Sequence, residues 1–149
     1  MTHPLAVTLC EITKDTVRDI IRLDVAEHQK GFVAPNAVSI AQAHFEPKAW
    51  FRAVYAGDDP VGFVMVFEDT EAPEYFLWRY MIAADQQGNG YGWAALEQVI
   101  ERIKGLPGAS ELLTSYVPGE GSPGGFYHLM GFVDNGEEDE GELVTVLTF

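Results

Sequence analysis

Seven consecutive residues, Gln86-Gln87-Gly88-Asn89-Gly90-Tyr91-Gly92, place three glycines within five positions. Glycine lets a backbone approach a ligand closely and take conformations that a Cβ forbids. A strand-like run precedes these residues and a helix-like run follows them. The first N–H groups of a helix have no intrahelical acceptor, and an anion suits them. The chemistry on offer is therefore capture of an anionic ligand. Two standard phosphate loops fail on spacing. In the dinucleotide pattern G-x-G-x-x-G the third glycine would fall at Trp93, and the acidic residue about 20 positions on would fall among residues 107–110, Pro-Gly-Ala-Ser. A Walker A loop needs Gly-Lys-Ser/Thr, and no Lys stands between Arg79 and Lys104.

The elements that must hold this loop follow from hydrophobic period. Residues 5–12 alternate weakly and are rich in Val, Leu and Thr, which predicts a first strand. Thr13 is an expected N-cap. Val17, Ile20, Ile21 and Val25 form the apolar stripe of a helix that should end within residues 27–30, before Gly31. Residues 31–36 are a loop by their Gly and Pro content, and residues 39–44 a short second helix that Glu46-Pro47 ends. Residues 49–56 predict a strand, 57–60 a turn, and 61–67 an apolar strand buried on both faces. Residues 75–83 complete the meander. By alternation Tyr75, Leu77, Arg79 and Met81 face one way, and Phe76, Trp78, Tyr80 and Ile82 the other. After the glycines, Trp93, Leu96, Val99, Ile100 and Ile103 sit at helical spacing, with Gly105 and Pro107 as the stop. Residues 112–117 read as a strand parallel to 75–83, because a helix separates the two. Residues 126–130 end a short helix. Residues 132–135 and 143–149 predict two strands joined through the acidic turn 136–141. The expectation is one α/β domain (α+β by some schemes) over residues 1–149, with helices on both faces of a mixed sheet.

Bulk properties exclude several classes. The 149 residues are 47% hydrophobic, enough for one core. The net charge of −14 removes the basic face that nucleic-acid binding needs. It suits a cationic small molecule, though for most of the carboxylates plain solubility is the simpler reading. Cys10 is the one cysteine, so no intrachain disulfide forms and no Cys-based metal site is spelled out. No apolar run approaches the roughly 18 residues of a membrane span. The opening Met-Thr-His-Pro carries no signal-peptide pattern. A cytoplasmic protein, off the membrane, is the expectation.

The spacing Gln87-x-x-Gly90-x-Gly92 does match another loop. It resembles the acyl-CoA-binding Q/R-x-x-G-x-G/A motif of the GNAT superfamily of N-acyltransferases, and it lies between a strand and a helix as in that fold. Ser115-Tyr116-Val117-Pro118 closes the next strand. Phe126-Tyr127-His128-Leu129-Met130-Gly131-Phe132 is similar to the family's aromatic-Tyr-x-x-x-Gly-Phe signature. The resemblance covers nearly the whole chain. Phe32-Val33-Ala34-Pro35-Asn36, Trp78-Arg79-Tyr80-Met81-Ile82 and the final hairpin look most like the bacterial spermine/spermidine (diamine) acetyltransferase branch.

The resemblance implies the GNAT fold, a mostly antiparallel sheet of six to seven strands in which the parallel pair 75–83 and 112–117 splays apart. It implies acetyl-CoA as co-substrate and no metal. The N–H groups of Gln87, Gly88, Asn89, Gly90, Tyr91, Gly92 and Trp93 would cradle the pyrophosphate at the positive end of the helix dipole. Met81 and Ile82 would pair with pantetheine amides as a strand would, and a main-chain N–H near Ile82 would polarise the thioester carbonyl. Ser115 and Glu120 stand where the family meets the cofactor arm. Tyr127 matches the family's general acid, which would protonate the departing thiolate; the plain alternative is a core aromatic beside Phe126 and Phe132.

The amine must be neutral to attack, and a polyamine nitrogen resembles Lys, with a pKa of roughly 10. A base or a water relay is therefore needed. Trp78 and Arg79 occupy the positions where some polyamine acetyltransferases carry an acidic residue. Glu27, Glu68 and Trp78 are the candidate substrate residues, the glutamates also as bases through water, against the reading of both as solvated surface carboxylates. His28 has a suitable pKa for a base. Glu120 and Pro123 replace the family's Asn and Ala among four glycines, which predicts a short or frayed helix there. The loop also lacks the usual Lys or Arg, so pyrophosphate binding would rest on backbone donors.

Two functions from different classes stay open. One is an acetyl-CoA-dependent N-acetyltransferase that acts by direct attack on the thioester. Its acceptor would be a primary amine: a polyamine such as spermidine or spermine, or else a peptide N-terminus, Lys or an aminoglycoside. The other is a non-catalytic acyl-CoA sensor or interaction module on the same fold. Family habit leaves a homodimer open.

Overall fold

The computed structural model describes residues 7–149, so residues 5 and 6 of the expected first strand lie outside that range. Its elements run β1 (Val7–Cys10), α1 (Val17–Arg22), α2 (Asn36–His44), β2 (Ala49–Ala56), β3 (Asp59–Asp69), β4 (Glu74–Ile82), α3 (Tyr91–Lys104), β5 (Glu111–Tyr116), α4 (Gly124–Met130), β6 (Val133–Asp139) and β7 (Glu142–Thr148). Short 3-10 turns at Glu27–Gln29 and Ala84–Gln86 precede α2 and α3. The strands form one sheet in the order β1-β2-β3-β4-β5-β7-β6. Among the described residues only β4 and β5 pair in parallel. No helix among the described residues is long and apolar enough to cross a membrane.

The apolar run of β3 makes it central. Val64 and Val66 enter the cluster under α3, while Phe63 and Met65 enter the one that holds Ile20 of α1 and Ala43 of α2. On the first face α3 contributes Leu96, Val99, Ile100 and Ile103, all buried. Each such side chain removed from water stabilises the fold by about 1.5–3 kcal/mol. Trp93 departs from its expected stripe: it is 42% exposed and meets the edge of Phe126 instead.

The expected alternation along β4 fails at one residue. Met65 pairs with Arg79 and Val66 with Leu77, so Trp78 is an extra residue in a β-bulge. Tyr75, Leu77 and Tyr80 pack with the α3 cluster, whereas Trp78 and Met81 pack with the α1–α2 cluster. The bulge thus puts Met81 on the opposite face from Tyr75 and Leu77. Arg79 reaches the same side as Met81, where its guanidinium donates to the Gln42 side chain of α2 at 3.2 Å.

Two further boundaries differ from expectation. The helix α1 stops at Arg22 because Leu23 turns extended, with ψ 131°. The Asp24 carbonyl then accepts from the Ala84 N–H across the fold at 2.8 Å. Val25 is buried as expected, but on extended chain. Thr13 holds the turn before α1, where its carbonyl accepts from Thr16 and Val17, and Thr16 takes the N-cap position. At the other end, the acidic stretch 136–139 is strand rather than turn. Asp139 pairs with Glu142, and the reversal is Glu140-Gly141 alone, both at positive φ (50° and 85°), the geometry of a two-residue type I′ hairpin.

Candidate active site

The splay of β4 from β5 makes the site. The two strands pair only at Phe76 with Leu113 and Leu77 with Thr114. The buried Thr114 hydroxyl closes that last pair by donating to the Leu77 carbonyl at 2.9 Å. Beyond it the strands part and a cleft of about 680 Å³ opens, a volume typical of small-molecule sites. Residues 77–82 of β4 form one wall. Thr114 and Ser115 of β5, Phe126 and Tyr127 of α4, and Glu142 of β7 form the other. Residues 29–35 close the top.

The glycine loop sits at one end of this cleft. Gly88 (φ +83°) and Gly90 (φ +81°) are left-handed, a conformation that costs an L side chain roughly 1–2 kcal/mol. Gly90 takes the N-cap position of α3 with no side-chain cap. Among the described residues, nothing accepts from the N–H groups of Gln87, Gly88, Asn89, Gly90, Tyr91, Gly92 or Trp93. Helical bonding begins at Ala94, which donates to the Gly90 carbonyl at 3.1 Å. A row of unpaired donors at the positive end of a helix fits a pyrophosphate. The loop is fixed from two sides. The Tyr80 hydroxyl donates to the Gly92 carbonyl at 2.5 Å. The Gln87 side chain donates to Gln29 at 2.8 Å and to the Ile82 carbonyl at 2.9 Å.

At the other end stands Tyr127. Its helix α4 starts tight against Tyr116, where a Cβ on Gly124 would lie 2.6 Å from the ring, so only glycine fits. The Tyr127 ring is 5% exposed and packs between Phe126 and Phe132. Core aromatic and cleft residue are thus one and the same side chain. Burial pushes its phenol up to about 12, with the neighbouring Thr114 hydroxyl pulling it partly back. The helix is anchored behind by Asp134, which accepts from the Tyr116 hydroxyl and pairs with His128, both at 2.8 Å.

The structure sorts the expected residues. Trp78, Met81, Ile82, Gln87, Gly92, Ser115 and Tyr127 line the cleft, and Gly88, Asn89, Gly90, Tyr91 and Trp93 complete the loop at its end. Three glutamates do not line it. Glu27 is exposed and pairs with Lys30 at 2.8 Å. Glu68 lies near the far end of β3, paired with Arg102 of α3. Glu120 is exposed between Gly119 (φ +141°) and Gly121 (φ +80°), whose backbones turn it outward. His28 stands beside Gly121 and also stays off the lining.

The Tyr127 hydroxyl neighbours Thr114, whose partner is Leu77, and Ile82 lies five residues further along β4, roughly 16 Å of strand. Two charged cleft residues escaped the sequence reading, Glu142 and Lys30. Nothing in the local pattern marks Glu142; it arrives through the β5–β7 register, where the Ser115 hydroxyl donates to it at 3.1 Å. Among the described residues no three His, Cys, Asp or Glu side chains cluster as a metal site requires.

The family model for the acetyltransferase (GNAT) family matches residues 17–132. The chain belongs to the GNAT acetyltransferase family. Among solved structures, the GNAT chain is similar to an acetyltransferase from Thermus thermophilus (18% identity, covering 99% of this chain and 100% of that one, TM-score 0.70). It is similar to the PaiA N-acetyltransferase of Thermoplasma acidophilum in complex with coenzyme A (12%, 97% and 99%, TM-score 0.73). It is also similar to a GNAT family acetyltransferase from Elizabethkingia anophelis with acetyl-CoA bound (14%, 99% and 100%, TM-score 0.67). No curated protein matches the sequence. These likenesses concern the fold, and the family match does not reach down to the spermine/spermidine branch.

Proposed function

We propose that this GNAT enzyme transfers an acetyl group from acetyl-CoA directly to a small primary amine in the cleft between β4 and β5. One observation carries the reading: the cleft that opens past Leu77 runs from a loop of unpaired N–H donors at one end to the Tyr127 phenol at the other. Bound acetyl-CoA supplies an activated thioester and a pyrophosphate anchor. The loop N–H groups of residues 87–93 hold the anchor. The β4 edge at Met81 and Ile82, unpaired toward β5, orients the arm through backbone hydrogen bonds. A main-chain N–H of the bulged stretch 78–80, nearer to Tyr127 than Ile82 is, polarises the thioester carbonyl. Tyr127 keeps its proton at neutral pH and gives it to the departing sulfur. Phe126 stacks on Tyr80 behind it and helps exclude water.

The polyamine acceptor draws support from the protein's net charge of −14. The cleft itself does not extend that support, because its charged residues are Lys30, Arg79 and Glu142. Initial rates with both substrates varied test the proposal. Intersecting lines and an N-acetylated product are expected. Parallel lines would refute direct transfer, and absence of product with every amine would refute the function.

A further inference from the structure

Arg79 is a cleft charge that no carboxylate among the described residues contacts. Lys30 pairs with Glu27 at 2.8 Å and Asp24 at 3.4 Å. The Arg79 guanidinium donates only to neutral oxygens, the Trp78 carbonyl at 3.0 Å and the Gln42 side chain at 3.2 Å. No carboxylate of the described residues pairs with it, and residues 1–6 contain none. Its Nε is buried with no acceptor. A guanidinium presents five N–H donors in a planar fork, so most of this fork is unused. A half-buried cation left this way is costly, and more so for a donor screened from water. The protein carries 23 acidic residues, yet the one whose charge reaches Arg79, Glu142, stands across the cleft and makes no contact with it.

The unused donors of Arg79 suit an anionic group of a ligand. Coenzyme phosphates do not fit the position. The glycine loop leads into α3, on one face of the sheet, whereas the bulge at Trp78 sends Arg79 to the face covered by α2. Across the cleft stands Glu142 on β7, steadied by Ser115. Its charge reaches both Arg79 and Tyr127. The two sides of the cleft thus offer a cationic fork and a carboxylate, beside the phenol already assigned to the leaving group.

We propose that Arg79 and Glu142 form the acceptor subsite, and that the acceptor is a primary amine that also bears a carboxylate, such as an amino acid. This rests on the acetyl-transfer reading above. Arg79 takes the carboxylate through its fork. Glu142 takes the ammonium and accepts one proton from it, which passes to water. The free amine forms the C–N bond as the C–S bond breaks. The sulfur receives the Tyr127 proton, and the second proton lost by nitrogen restores the phenol. An amine lacking the carboxylate leaves Arg79 unpaired, and a polyamine adds a second cation beside it.

The test is a thiol-release assay with acetyl-CoA and matched acceptors: L-phenylalanine against phenethylamine, L-lysine against 1,5-diaminopentane, and spermidine. The carboxylate-bearing member of each pair is expected to win by at least about tenfold in kcat/KM, chiefly through KM, as for loss of a charge-assisted hydrogen bond. In Arg79→Gln that ratio should fall to within about threefold. The wild-type ratio stands by itself if the variant fails to fold. Equal or better turnover of the decarboxylated amines or spermidine would overturn the subsite while leaving acetyl transfer intact. An unchanged ratio in folded Arg79→Gln would also overturn it. CoA binding without turnover of any amine would overturn the acetyl-transfer reading and the subsite together.

Discussion

Replacing Tyr127 with phenylalanine removes one hydroxyl and leaves the ring packing against Phe126 and Phe132 in place. With burial holding the phenol at about 12, the group is protonated at neutral pH and can only donate. A CoA thiol is comparable to that of cysteine, with a pKa of about 8.5. Full transfer from this phenol to a free thiolate is uphill by about 3.5 units, or roughly 5 kcal/mol at about 1.36 kcal/mol per unit. The proton therefore moves while the C–S bond is breaking and has to be replaced as the amine loses its own. A general acid of this kind contributes about 10²- to 10⁴-fold. The expected result is a kcat lowered at least about 100-fold. The KM for acetyl-CoA should stay within about threefold, since the loop donors are untouched. Stability should change by under about 1 kcal/mol, because Thr114 still donates to Leu77. Initial rates and calorimetric CoA titration measure both quantities. An unchanged kcat would refute the acid role, and equal losses in kcat and CoA affinity would mean the hydroxyl positions the arm instead. An acid works below its pKa, so this group should impose no falling limb on the rate until about pH 11 or higher.

Other variants probe the scaffold around that chemistry. Gly90→Ala puts a side chain at φ +81°. It should cost about 1–2 kcal/mol, lower Tm by about 2–8 °C in a thermal scan, and weaken CoA binding. Asn89→Arg supplies the cation that the loop lacks; CoA should bind several-fold tighter at low ionic strength, with the gain fading as salt is added. No gain in titration would count against the pyrophosphate placement. His128, and then Tyr116, hold Asp134 below its ordinary range by hydrogen bonding. A depressed carboxylate stabilises the fold above its unfolded pKa of about 3.9, and that stabilisation disappears as pH falls through the lower folded value. The Asp134 side chain is 39% exposed, so solvent screening keeps the effect small. Asp134→Asn should therefore melt slightly earlier than wild type at pH 7, and the gap should close in acid below the usual carboxylate range.

Local pattern carried the architecture well. The strand β2 at Ala49–Ala56, the central β3, the parallel β4–β5 pair and the loop before α3 all follow from period, turn residues and connection length. Two things were beyond its reach. A bulge leaves no mark in alternation, which puts Arg79 and Met81 on the face of Tyr75 and Leu77, whereas the β3 register makes Trp78 the extra residue and turns both to the other face. Long-range register likewise decided the site's charges. Glu142 enters the cleft because β7 pairs with β5, and Glu68 is carried to Arg102, whereas Glu27 is held by its local i,i+3 pair with Lys30. The loop and Tyr127 were legible because each lies in a short contiguous motif. The acceptor side was not, because it is assembled from β4, β7 and residues 29–35.

The most direct test counts CoA thiol released against N-acetylated amine formed, acceptor by acceptor, with saturating acetyl-CoA. The account predicts one thiol for each acetylated amine, with the amino acids ahead of their decarboxylated partners. Acetyl-CoA that binds in the cleft yet releases no thiol to any amine would contradict it.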